Sequence, residues 1–169
     1  DLGMKVYNVV NPASPVLVST IPTAGRSRSL SYGAVTISGS PVGHIFVSNS
    51  TSANGVSAIN VSNPATPTTS SFLGAATSGE ALGALYDNNI VYVANGLGGL
   101  RILDVSSPRG PTLLGEFNTR EEARSVVLRS GFAYVADLDS GVSVINVSNP
   151  AAPVEVTRIR TSRARGIAV

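Results

Sequence analysis

An all-β fold, in which a small four-stranded sheet is copied several times around an axis, is predicted by three features of this 169-residue chain. The first is a recurring proline phrase: Asn11-Pro-Ala-Ser-Pro15, Asn63-Pro-Ala-Thr-Pro67, Ser107-Pro-Arg-Gly-Pro111 and Asn149-Pro-Ala-Ala-Pro153. Its leading prolines, Pro12, Pro64, Pro108 and Pro150, stand 52, 44 and 42 residues apart, a period that belongs to repeat architectures. The second is the run of short β-branched and aromatic segments between Gly, Pro, Asn and Asp clusters. The third is the lack of any sustained 3.6-residue apolar period with caps, which predicts essentially no helix. Four strands in a unit of some forty residues make the blade of a β-propeller.

Each element follows from these rules. In the clearest copy, residues 123–128 form strand A, ended by Arg129-Ser-Gly131, and residues 132–136 form strand B. The turn Asp137-Leu-Asp-Ser-Gly141 leads to strand C at 142–147, and strand D occupies 154–159. Strand B recurs at 43–48 and 90–94, and strand C at 4–9, 56–61 and 100–105. Thr23, Thr77, Thr119 and Thr161 close successive D strands. The first full repeat is longer, with its extra residues at 39–41 and 50–54 expected in loops. The B runs are continuously apolar and read as strands buried on both faces. Strand C reads as alternating, with Val144 and Asn146 on one face and Ile145 and Val147 on the other.

The chain then divides into strands C and D of a first blade, repeats at about 26–71, 80–117 and 122–160, and a final strand A at 164–169. That makes four A, four C and four D strands but three B strands. A ring closed from this set would leave an unpaired seam, a costly edge. The expectation is a part of a larger propeller of six to eight blades, with a compact four-bladed ring as the alternative.

Bulk composition excludes several functions. Charged residues are 13% of the chain, against about 25% in an average protein. Ser, Thr, Asn and Gly replace them, a bias common in extracellular β proteins. A net charge of +2, without a basic run, gives no footprint for nucleic acid or an anionic membrane. There is no cysteine, so disulfides and thiolate metal sites are excluded. No apolar stretch reaches 18 residues, so no helical membrane span is expected, and any targeting segment is expected to lie outside this stretch or to have been removed.

Tyr92-Val-Ala-Asn95 with Leu100-Arg-Ile-Leu-Asp-Val-Ser-Ser-Pro108, and Tyr134-Val-Ala-Asp137 with Val142-Ser-Val-Ile-Asn-Val-Ser-Asn-Pro150, resemble the LVIVD-repeat family. The first two repeats depart from the pattern, with Phe46-Val-Ser-Asn49 in place of Tyr-Val-Ala-Asp. The resemblance implies a β-propeller of bacterial and archaeal surface or secreted proteins, and hence an extracellular or cell-surface location. It implies no particular chemistry.

The residues that carry chemistry are few. The single histidine, His44, has no second His or Cys to build a metal site or a triad, and reads as a structural strand residue. Glu121 and Glu122 are adjacent and point to different sides, a poor acid–base pair. Asp137 and Asp139 resemble part of a calcium loop, but turn formation is the simpler role. Gly96-Leu-Gly98-Gly99 lacks the following helix of a phosphate loop and reads as a turn needing positive φ. Asn49, Asn60 and Asn146 head glycosylation sequons. Of these, Asn49 alone reads as an accessible loop site, whereas the repeated Asn/Asp ending strand C is expected to cap a turn. Aligning the closing threonines places Arg28, Arg124 and Arg165 at equivalent positions entering strand A, with Leu82 in the remaining copy. Such loops ring one mouth of a propeller channel, where arginines would converge on an anionic ligand; the simpler reading gives each a neighbouring acid or carbonyl.

The expected function is therefore a non-catalytic scaffold mediating protein or glycan interaction through its loops, without metal or cofactor. Two alternatives are an enzyme with a channel-mouth active site completed by further blades, and a surface-layer or filament subunit assembling through the open blade edge.

Overall fold

The computed structural model describes residues 3–23, 25–50, 55–72 and 80–168. Its described residues contain no helix. Among them, fourteen strands form four antiparallel sheets. A hairpin, β1 (Met4–Asn8) and β2 (Val16–Ile21), supplies strands C and D of the first sheet. The first full blade is β3 (Ser27–Ile37), β4 (Ser40–Asn49), β5 (Val56–Asn60) and β6 (Thr68–Phe72). The second is β7 (Gly83–Asp87), β8 (Ile90–Ala94), β9 (Leu100–Asp104) and β10 (Thr112–Phe117). The third is β11 (Ala123–Arg129), β12 (Phe132–Asp137), β13 (Val142–Asn146) and β14 (Val154–Ile159). Each four-stranded sheet runs in simple A-B-C-D order, and among the described residues no ladder joins the first sheet to the last, so the propeller is open.

Local sequence explains each connection. The A–B turns are two-residue loops with both residues at positive φ: Ser38-Gly39 (50°, 81°), Asn88-Asn89 (49°, 61°) and Ser130-Gly131 (51°, 79°). This mirror-image turn matches strand twist and favours Asn and Gly. The C–D turns are built by the proline phrase. Its first residue accepts a backbone bond from the fourth at 2.9–3.1 Å in all four copies. Ahead of it, Asn8, Asn60, Asp104 and Asn146 each accept from the backbone N–H two residues on, at 2.8–2.9 Å, the capping role expected of them. Every D strand carries one bulged residue against strand C: Val18, Ser70, Leu114 and Val156. The B–C turns of the second and third blades need glycine: Gly99 and Gly141 have φ of 72° and 83°, and a Cβ at either would collide with a strand D carbonyl oxygen, that of Phe117 or Ile159.

Packing is blade on blade. Val35, Phe46, Val56 and Ala58 meet Ala84, Val91, Val93 and Leu103 of the next sheet. The opposite face of that second sheet, including Tyr92 and Ile102, meets Val126, Val135 and Ile145. Met4 and Ile21 of the hairpin pack on Val47 and Ile59. Burial of the Tyr92 ring, reinforced by the Asp87 carboxylate, holds its phenol above the ordinary tyrosine range. Adjacent blades are also clasped by backbone. Gly96 in one B–C turn exchanges both bonds with Ala123 of the next blade (3.1 and 3.0 Å), and Ala164 donates to Leu138 at 2.9 Å.

Three expectations change. Strand C is buried on both faces in the three full blades, including Ser57, Arg101 and Ser143, and neighbouring sheets cover both sides of β5 and β9, whereas β1 of the first sheet is mostly exposed. The extra residues at 39–41 lengthen the β3–β4 hairpin to ten paired positions, since Ser40 and Pro41 continue the ladder. The final strand A at 164–169 is represented in the described residues by the Ala164 bridge alone. No strand B of its own blade is present there to extend it into a ladder. Thr77 and residues 51–54 lie outside the described residues.

Candidate functional site

B–C turns and D–A loops meet at one end of the strands, and the best-defined polar cluster lies there in the third blade. The Asp137 side chain ends strand β12 fully buried. Its carboxylate accepts from the backbone N–H groups of Arg120 and Glu121, both at 3.1 Å, and from Arg158 at 2.6 Å. The carboxylate therefore holds the incoming D–A loop against the outgoing B–C turn. Arg158 reaches it from β14, where it sits opposite Ser143, and also binds Glu155 at 2.6 Å. Glu155 in turn accepts the Ser143 hydroxyl at 2.6 Å.

The second blade solves the same problem with the charges exchanged. Arg101 occupies the strand C position of Ser143, Glu116 the strand D position of Arg158, and neutral Asn95 the position of Asp137. Arg101 is 7% exposed and pairs with Glu116 at 3.2 Å and with Asn118 at 3.2 Å. Each of these blades thus buries one guanidinium and supplies its acid locally, as a charge removed from water requires. Comparing aligned copies for this exchange was the sequence signal that would have found Arg158.

Beside the cluster, Arg120, Asp139, Ser140, Arg160 and Thr161 line a cavity of about 450 Å³. Arg158 is neutralised within its wall, and Asp139 faces Arg163 at 3.6 Å. Arg120 and Arg160 are exposed, without a side-chain partner among the described residues, and are the cations free to bind an anion there.

The three arginines aligned from the sequence are structurally equivalent but do not share a cavity in the described structure. Arg28 and Arg124 are both bulged residues entering strand A, between Ser27 and Ser29 and between Ala123 and Ser125. Arg165 follows Ala164 as Arg124 follows Ala123, each alanine bridging the preceding blade. Arg28 lines a separate depression with Lys5 and Met4. Arg124 is held by Glu122 at 2.6 Å, the simpler of its two expected roles. Arg165 is exposed.

The accessible glycosylation site expected at Asn49 is overturned. Asn49 is fully buried at the end of β4, and its amide nitrogen, the atom that would carry a glycan, donates to Val47 and to Ser57 Oγ (2.8 Å). The residue occupies the position of Asn95 and Asp137, where a polar side chain braces the turn. Asp137 is likewise no open calcium ligand, since Arg158 and two N–H groups already occupy its oxygens. No cluster of three His, Asp or Glu able to hold a metal occurs among the described residues. Gly96 and Gly99 have φ of 55° and 72°, in a tight turn as expected. His44 is 1% exposed in β4, stacked 6.3 Å from Phe46.

Repeated four-stranded antiparallel sheets, packed face to face and clasped through their inner strands, define the β-propeller class. The LVIVD repeat model matches residues 84–119 and 121–161, so the second and third blades are LVIVD repeats, as their motifs implied. No curated protein matches the chain. Among solved structures, the crystal structure of the computationally designed Ika8 protein matches with a TM-score of 0.69 at 12% identity, over 97% of this chain. The chain spans 45% of the length of that designed protein.

Proposed function

We propose that this chain is a non-catalytic β-propeller scaffold, exposed at the cell surface or secreted, that binds acidic groups of a protein or glycan through its loops. The carrying observation is the mouth cavity of the third blade, where Arg120, on a loop pinned by buried Asp137, and Arg160, at the end of β14, stand without a side-chain partner among the described residues. A rigid sheet beneath a short loop presents such cations without a large ordering cost on binding. Guanidinium groups suit carboxylate and sulfate partners because their planar donors bond two oxygens at once. Low charge and abundant Ser, Thr, Asn and Gly support the extracellular location.

The test is binding to immobilised acidic peptides and sulfated or uronate-bearing glycans. Arg120→Ala with Arg160→Ala is expected to weaken binding at least tenfold, whereas Arg124→Ala, already paired to Glu122, changes it less than threefold. These factors follow from a charged hydrogen bond being worth about 1.5–3 kcal/mol. Equal binding by the parent and the double variant would sink the reading. Location is checked by protease shaving of intact producing cells. Release of the chain into the medium or its digestion at the surface is expected, and recovery of all of it from the cell interior would refute the assignment.

A further inference from the structure

At the other end of the strands, between the first and second full blades, lies a larger cleft of about 650 Å³, within the range of about 300–1,000 Å³ usual for small-molecule sites. Its position and lining separate it from the mouth. Two wall residues depart together from the pattern of the sister blades. His44 stands opposite Asn60 in the ladder, where the second blade has Ile90 and the third Phe132. Ser70 is the bulged residue of strand D, where the other copies have Val18, Leu114 and Val156. A bulge re-aims its side chain, and here it brings Ser70 Oγ to 3.3 Å from His44 Nε2.

The polarity of that contact is determined by the backbone. His44 Nδ1 lies 3.0 Å from the Val42 carbonyl, which only accepts, so in the neutral ring Nδ1 carries the proton and Nε2 accepts from Ser70. The Ser70 oxygen keeps its lone pairs for a ligand hydroxyl. Around it stand Thr36, Thr68, Thr69, Ser106 and Ser107, whose hydroxyls both donate and accept. Arg109 is the one permanent cation of the lining, it has no partner among the described residues, and no carboxylate lines the cleft. The walls are held in place by Tyr86, which donates its hydroxyl to the Ala34 carbonyl at 2.8 Å and its N–H to Ser31 Oγ at 2.9 Å.

We propose that this inter-blade cleft binds a hydroxylated carboxylate of the hexuronate class, with Arg109 taking the carboxylate and the Ser70–His44 pair and threonine hydroxyls taking the ring hydroxyls. A polyol matches a wall of groups that donate and accept at once, and a single guanidinium matches a single carboxylate. The site is independent of the mouth reading.

The experiment titrates the full chain with D-glucuronate, D-glucose, acetate and inorganic phosphate, following the His44 ring and Arg109 amide signals by NMR. Glucuronate is expected to shift both signals saturably, with glucose and acetate at least tenfold weaker. Arg109→Ala should reduce glucuronate to the level of glucose. Ser70→Val, which restores the residue type of Val18 and Val156, should lower affinity for both sugars with unfolding unchanged. Arg120→Ala with Arg160→Ala should leave glucuronate binding intact, so this proposal and the mouth reading fail separately. Phosphate or acetate binding as well as glucuronate would reduce the cleft to a plain anion site and overturn the proposal, as would glucuronate leaving both signals unmoved.

Discussion

Replacing Asp137 by alanine is expected to lower the free energy of unfolding by about 3–5 kcal/mol, the usual cost of leaving a buried charge without its partner. The Arg158 side chain, 12% exposed, would keep Glu155 but lose its more deeply buried acid. The N–H groups of Arg120 and Glu121 would lose their acceptor at the same time. Denaturant unfolding followed by circular dichroism reads the loss directly. The second blade supplies the control, because it tolerates a neutral residue at this position. Asp137→Asn combined with Ser143→Arg and Arg158→Glu reproduces the Asn95, Arg101 and Glu116 arrangement and should recover most of the lost stability. A single variant within about 1 kcal/mol of the parent, or a triple variant no better than the single, would show that the cluster does not brace the blade.

Phe46→Ala is expected to cost about 3–5 kcal/mol, the range for truncating a fully buried aromatic side chain. Phe46 has no exposed surface and lies at the contact between the first and second full blades. Its ring stacks on Tyr86 at 5.4 Å with an interplanar angle of 5°. The space left behind cannot close easily. Tyr86 is tethered to Ala34 and packed directly over Gly33, where even a methyl group would collide with its ring. Thermal and urea unfolding should report the loss, with the near-ultraviolet tyrosine signal reduced. A loss below about 1.5 kcal/mol would mean that the two blades slide together to fill the void, contrary to their hydrogen-bonded spacing.

Much of the architecture could be read from the residues because punctuation and periodicity are local properties. Asn63-Pro-Ala-Thr-Pro67 announces its own turn, and Asn88-Asn89 its own hairpin. Burial on both faces of strand C was less visible, since Val142-Ser-Val-Ile-Asn alternates as a half-exposed strand does. In the two earlier full blades, neighbouring sheets contributed by residues some forty positions away cover both faces. The site was harder for a related reason. Arg158 looks like an ordinary strand arginine until Asp137, twenty-one residues earlier, is known to lie beneath it. Asn49 looked like a loop residue because Ser50-Thr51 follows it. The ladder with Ser27 carries the strand through Asn49 and turns its amide inward. The His44–Ser70 contact depends on a bulge, a register feature that no residue pattern displays.

The exchange between Gly96 and Ala123 means that a sheet of this protein is not its own folding module. Its closing latch belongs to the following one. A deletion made at the margins of a single sheet would therefore strip a donor and an acceptor from a turn it never touched. Loosening would pass to the neighbour rather than stay with the segment removed. Natural cut points for engineering this array lie one strand out of phase with its visible sheets, as threads of a screw are offset from the slots in its head.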